Sequence, residues 1–255
     1  MRHMKTLALS LLVASPVFAP SAASAAPTTL AAAAASPSRS ADNVKLDVGR
    51  KPAQVLAFLG LKSGMNVIDL FGANRYWSEI IAPVVAPKGK VVVWQPAQFY
   101  RPNSKTAFEA FAAKNPNVSI SVSPFEAPDL PKNFADFVIL NDNYHETYWQ
   151  NHKLGIPKMD PNAFLKAVYQ SMKPGGVIGV IDHVANPNSD TRVTVDKFHR
   201  IDPNVVKADF KRAGFVLVGS SALLRNPADK HDAEVHEPQI LGKTDRFIFK
   251  FKKPR

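Results

Sequence analysis

The chain has 255 residues, 45% of them hydrophobic and 21% charged, with 32 Lys and Arg against 21 Asp and Glu for a formal charge of +11. That mix excludes a wholly disordered or collagen-like chain, and the absence of cysteine excludes disulfides, thiolate metal sites and Cys nucleophiles. No apolar run reaches the roughly 18 residues that a membrane-spanning helix requires.

Residues 1–25 read as an export signal. Arg2 and Lys5 make a basic start, Leu7 to Ala19 an apolar stretch, and Ala23-Ser24-Ala25 a small-residue cleavage pattern. The mature chain is therefore expected outside the cytoplasm, periplasmic or secreted. Residues 26–42 are rich in Ala, Ser and Pro, bury little apolar surface and read as a disordered leader. Positive charge is scattered, and only Lys250-Phe-Lys-Lys-Pro-Arg255 is a dense cluster. The aromatic-and-basic interleaving of a single-strand nucleic-acid binder is missing, so no nucleic-acid partner is expected.

From Arg50 the pattern becomes regular. Gln54–Leu59 is a helical stripe stopped by Gly60, and Met65–Leu70 a buried strand. A helix over Tyr76–Val85, a strand over Lys90–Trp94, a helix over Ser104–Lys114 capped by Ser104 and a strand over Val118–Val122 follow. Ala135–Leu140 is a fourth strand. Pro161–Met172 is a helix with Asp160 at its cap, and Val177–Ile181 a fifth strand. Pro203–Ala213 is a helix capped by Asp202 and closed by Gly214, and strands over Phe215–Gly219 and Asp245–Phe251 complete the chain. Continuous apolar strands alternating with helices predict one α/β domain over residues 43–255. Its fold class is a doubly wound, Rossmann-like, mostly parallel seven-stranded sheet with an antiparallel last strand.

Val67-Ile-Asp-Leu-Phe-Gly-Ala-Asn-Arg-Tyr-Trp77 stands where class I S-adenosylmethionine-dependent methyltransferases place their first motif. Phe134–Leu140, the Lys173-Pro-Gly-Gly176 turn, His199–Asp202, Leu224–Pro227 and Thr244–Phe247 extend the match from about Arg50 to Pro254. The chain resembles that superfamily, and within it an exported bacterial branch. The resemblance implies S-adenosylmethionine as cofactor, with Asp69, Gly72, Ala73, Asn74 and Arg75 around its methionine end and Gln95 facing its ribose. Two positions depart from the family pattern. Phe71–Arg75 replaces a glycine-rich loop, and Gln95 stands where an acid commonly grips the ribose hydroxyls.

Ligands of doubly wound sheets lie outside the carboxyl ends of the strands, which here gather Asp69–Trp77, Trp94-Gln95 and Asn141–Trp149. In the last stretch His145 is a candidate general base, with Asp142 or Glu146 to orient it. The polar side chains of that loop could equally satisfy its own backbone. Tyr144, Tyr148 and Trp149 either stack on a flat ligand or pack under the loop, and Asp182-His183 is a second acid/base pair. Arg200 and Arg225 either meet an acidic substrate or form ion pairs. His231–Glu237 lacks the helical spacing of a metal motif and reads as a solvated loop, so no metal is expected. The resulting expectation is an exported methyltransferase acting on a small-molecule or cell-envelope acceptor. The alternative is a non-catalytic binding protein of the same fold, with an altered glycine loop over Phe71–Arg75, for another anionic or nucleoside-like ligand.

Overall fold

The computed structural model describes residues 28–72, 74–187 and 190–255. The export signal, residue 73 and the first residues of the leader lie outside the described residues.

Strands β1 (Val67–Leu70), β2 (Val91–Pro96), β3 (Val118–Ser123), β4 (Ala135–Asn141), β5 (Met172–His183), β6 (Val216–Ser221) and β7 (Arg246–Lys252) form one sheet in the order β3-β2-β1-β4-β5-β7-β6. Strands β1 to β5 are mutually parallel, and β7 runs antiparallel between β5 and β6. The order reverses at β1, with Val67 opposite both Val91 and Phe137. The predicted α/β sheet with an antiparallel last strand is the one observed.

Strands β1, β2, β4 and the second half of β5 alternate their side chains between two apolar layers, so their sequences are nearly continuously hydrophobic, whereas the edge strands β3 and β6 are partly exposed. Ile68, Leu70, Val138, Leu140, Ile178 and Val180 face one layer, packed on α7 (Pro161–Ser171) and α9 (Pro203–Arg212). Val67, Val91, Val93, Phe137, Ile139 and Ile181 face the other, under α4 (Pro52–Leu59) and α5 (Tyr76–Val85). Asp160 and Asp202 accept hydrogen bonds from Asn162 N and Asn204 N, capping α7 and α9 as their positions predict. Helix α6 (Pro102–Lys114) instead starts two residues before Ser104, because Pro102 takes the first helical position, where its missing N–H is no loss. Helix α8 (Thr191–Phe198), capped by Asp190, was not legible from periodicity.

The leader reading fails for its described part. Helix α1 (Leu30–Ala34) packs on the layer that holds α5, with Ala33 buried, and helices α2 (Ala41–Lys45) and α3 (Asp47–Arg50) follow. Small Ala side chains let the backbone approach closely, and polar anchors do the rest. Arg39 is buried and bidentate on Asp47 (2.6 and 2.9 Å), and its guanidinium also donates to Ala34 O. Tyr76 Oη donates to Asp47 (2.7 Å), and Asn43 Nδ2 donates to Asn74 O (2.9 Å). Residues 39–50 thereby form a strap across the carboxyl end of β1.

Candidate functional site

The carboxyl ends of β1, β4 and β5, together with the strap, enclose two adjoining hollows. The inner one, about 320 Å³, is lined by Asp69, Phe71, Gly72, Asn74, Trp77 and Asn141, among others. The outer one, about 460 Å³, is lined by His145, Glu146, His183, Thr244 and Arg246 with Lys45 and Leu46 of the strap. Arg50, Asp142 and Asn143 line both.

Asp69 ends the parallel core on a buried carboxyl. Burial raises it to about 7, against the hydrogen bond that Ser78 Oγ donates to it at 2.5 Å. Gly72 then turns the chain tightly against β2: a Cβ there would stand 2.2 Å from Val93 Cγ1. Arg75 has a left-handed backbone (φ 60°) and carries its guanidinium 5.7 Å from the centre of the Phe108 ring. It lines neither hollow, contrary to its expected place beside a cofactor. Gln95 also lies outside both hollows, buried, with its Oε1 unpartnered. The rings of Phe71, Trp94, Phe99 and Phe125 pack together in the apolar layer on the other face of β2 from Gln95, with Phe71 to Trp94 at 5.2 Å and Phe71 to Phe125 at 5.1 Å.

Asp142, at the junction, also has a left-handed backbone (φ 54°). Burial alone would raise its carboxyl, but His183, Arg246 and Arg50 hold it at about 2. Neither arginine is hydrogen-bonded to it, the nearest nitrogens being 3.6 and 3.8 Å away. Asp142 does not orient His145. Asp182 does, at the end of β5: its Oδ1 lies 2.7 Å from His145 Nδ1, and its Oδ2 accepts from His145 N at 2.9 Å. Glu146 Oε1 is 3.4 Å from His145 Nε2. Burial opposes charge on His145, yet Asp182 and then Glu146 outweigh it and raise the imidazole to about 10. His183 is opposite in character. Burial lowers it to about 4, and its Nδ1 pairs with Thr244 Oγ1 at 2.7 Å while Nε2 lies 3.9 Å from Asp142.

Five side chains that line these hollows keep a buried polar atom without a partner: Trp77 Nε1, Asn141 Oδ1, Asp142 Oδ1, Glu146 Oε2 and Arg246 Nε. Unpaired buried polar groups are costly and rare, so their gathering at one place marks a polar site that ordered water or a ligand satisfies.

No family model matches the chain, and no curated protein matches it. Solved structures do. A S-adenosylmethionine-dependent methyltransferase from Aquifex aeolicus superposes with a TM-score of 0.57 at 19% identity, covering 83% of this chain and 97% of its own. An arsenic(III) S-adenosylmethionine methyltransferase from Chlamydomonas reinhardtii gives 0.55 at 15% identity, covering 91% and 75%. The cyclase SpnF gives 0.54 at 13%, covering 86% and 84%. The fold is the class I methyltransferase fold. That a cyclase shares it leaves the chemistry to the site itself.

Within this methyltransferase fold, Asp69, Gly72, Asn74 and Asp142 line the inner hollow and Asp142 and His145 the outer one, and Ala73 lies outside the described residues. The strap residues Lys45, Leu46 and Arg50 were missed because they fall at the start of the predicted domain, before its first regular element. Arg246 and Thr244 had a signal, standing within the quoted Thr244–Phe247 signpost. Tyr144 and Tyr148 do not face a ligand: both hydroxyls donate to Asp209 on α9 (2.8 and 2.5 Å). Trp149 packs against His199, ring centres 4.9 Å apart. Arg200 is buried on Asp229 (2.7 Å) and Arg225 pairs with Asp245 (2.7 Å), so both are internal ties. His231 likewise lies 3.0 Å from Asp245.

Proposed function

We propose that the chain is a S-adenosylmethionine-dependent methyltransferase, exported through residues 1–25 and acting on a small-molecule or cell-envelope acceptor. The observation that carries this reading is the set of unpartnered polar atoms around the two adjoining hollows, at the carboxyl ends where this fold binds ligands. The residues present suit the methionine end of the cofactor. Arg50 offers a guanidinium for a carboxylate, the Asp69 carboxyl faces a cationic group, and Trp77 Nε1 and Asn141 Oδ1 supply a free donor and acceptor. When bound, S-adenosylmethionine supplies a methyl group activated by its sulfonium charge, whose in-line transfer rests on alignment and exclusion of water.

The protein's own chemistry lies in the outer hollow. His145 is already protonated near neutral pH and is therefore not the base. Its charge stabilises negative charge on the acceptor. His183 is neutral there, and with its proton on Nδ1, donated to Thr244 Oγ1, its Nε2 is free to take the acceptor's proton. Asp142, 3.9 Å from that nitrogen, stabilises the imidazolium as it forms. Two groups whose surroundings push them apart in this way are a donor and an acceptor of protons.

Calorimetry of the mature chain with S-adenosylmethionine and S-adenosylhomocysteine tests the reading. A saturating single-site isotherm is expected, and no heat at millimolar ligand overturns it. One observation favours a second reading, a binding protein for a shorter ligand: Gln95, expected to face the ribose, lines neither hollow. Heat from methionine equal to that from S-adenosylmethionine would select it. For export, recovery of the chain from the periplasm or medium beginning at Ala26 is expected; retention of an intact Met1 start in the cytoplasm overturns it.

A further inference from the structure

The outer hollow carries a charge pattern that methyl transfer alone does not require. Lys45, Arg50, Arg246 and His145 bring positive charge to its wall, against the carboxyls of Asp142 and Glu146. Arg246 is the least explained of them. Its side chain is 6% exposed, and Nη2 is fixed by a 2.6 Å hydrogen bond to Gly49 O of the strap. Nη1 is 3.6 Å from Asp142, too far for a hydrogen bond, and Nε is buried without any partner. A guanidinium held in place by its Nη2, with Nη1 making no hydrogen bond, is preorganised for an oxyanion in the hollow that Arg246 lines. Beside it, Leu46, Val235 and Leu241 give the same hollow an apolar side.

Resting on the methyltransferase reading, we propose that the acceptor is a small organic acid: a carboxylate seated on Arg246, an apolar body against Leu46, Val235 and Leu241, and a hydroxyl or amine that takes the methyl group. In the transfer, a bond forms between the acceptor oxygen or nitrogen and the methyl carbon. The carbon–sulfur bond breaks with its electron pair left on sulfur, and the acceptor's proton passes to His183. Arg50, which lines both hollows, belongs to the cofactor side; Arg246 lines the outer hollow alone.

The test uses the mature chain and two probes of nearly equal shape, 4-hydroxybenzoate and the neutral 4-hydroxybenzyl alcohol, titrated with and without S-adenosylhomocysteine. The acid is expected to bind at least about ten-fold more tightly than the alcohol. Arg246→Gln is expected to abolish that preference, and Arg246→Lys to retain part of it, while S-adenosylhomocysteine affinity stays within about three-fold. Equal affinity of acid and alcohol for the wild-type chain overturns the proposal, as does a preference that survives in a folded Arg246→Gln variant. The wild-type comparison decides the matter if that variant does not fold. Tighter binding of phenyl phosphate than of 4-hydroxybenzoate overturns the carboxylate assignment in favour of a phosphate. If the acid binds and neither adenosyl ligand does, the methyltransferase reading falls and the anion site stands; the converse result sinks the anion site alone.

Discussion

His145 and His183 lie with ring centres 6.0 Å apart on the wall of one hollow, and their surroundings drive them to opposite protonation states. The difference comes from the carboxylates against the His145 ring, Asp182 foremost, and from burial at His183. Asp182 bonds the ring of His145 with one oxygen and the backbone N–H groups of both histidines, and leaves the ring of His183 to Thr244. Nitrogen NMR of the histidine side chains should find His145 cationic until the pH approaches about 10, and His183 neutral until it falls to about 4. A His145 resonance titrating near its ordinary value would remove the assignment of roles.

The same pair makes stability depend on pH. His145 is raised in the folded state, so its contribution is complete below its ordinary value of 6.5 and disappears as pH climbs through about 10. Asp182→Asn removes the carboxylate that holds the charge, so burial turns the imidazole neutral and the ion pair is lost, an expected cost of about 3 kcal/mol by denaturant unfolding. The variant should also lose the alkaline decline of stability that the wild type shows. A loss below about 1 kcal/mol would mean the pair does not carry that charge.

Asp69 should couple ligand charge to pH. Its buried carboxyl stands at about 7 and lines the inner hollow, so a cationic ligand binds best once it has ionised. Affinity for S-adenosylmethionine, relative to the uncharged sulfur of S-adenosylhomocysteine, should rise about ten-fold between roughly pH 6 and pH 8. Calorimetry in buffers of different ionisation enthalpy should show proton release on binding at pH 7. A flat ratio would place the sulfonium away from Asp69.

Within the loop, Gly72 and Arg75 should respond in opposite ways. Gly72→Ala forces a methyl into Val93 and should cost about 1–3 kcal/mol, measured by thermal or denaturant unfolding. Arg75→Gly relieves a left-handed backbone and gives up a contact with Phe108, two effects of under about 1 kcal/mol that oppose each other. Ligand affinity should stay within about two-fold in the Arg75 variant. A large gain or loss there would mean that the guanidinium reaches the hollow.

Local and periodic features of the chain were enough to determine the sheet, most of its helices and the end at which a ligand binds. Asp69 and Gly72 were named through the family resemblance of their motif, His145 by its place after a buried strand, and Asp160 and Asp202 by capping chemistry that acts within three residues. Long-range pairing decided the rest. Nothing near His145 in the sequence identifies Asp182 as its partner, because β5 meets β4 only in the sheet. Nothing in the composition of this segment announces that residues 45–50 wall the site, because the strap is held through Asp47, Tyr76 and Asn74 by bonds that exist only once α5 is in place. Arg75 turned out to lie on Phe108 for the same reason: φ at a single residue sets the direction of a long side chain, and only the packed helix beside it supplies the surface on which it rests.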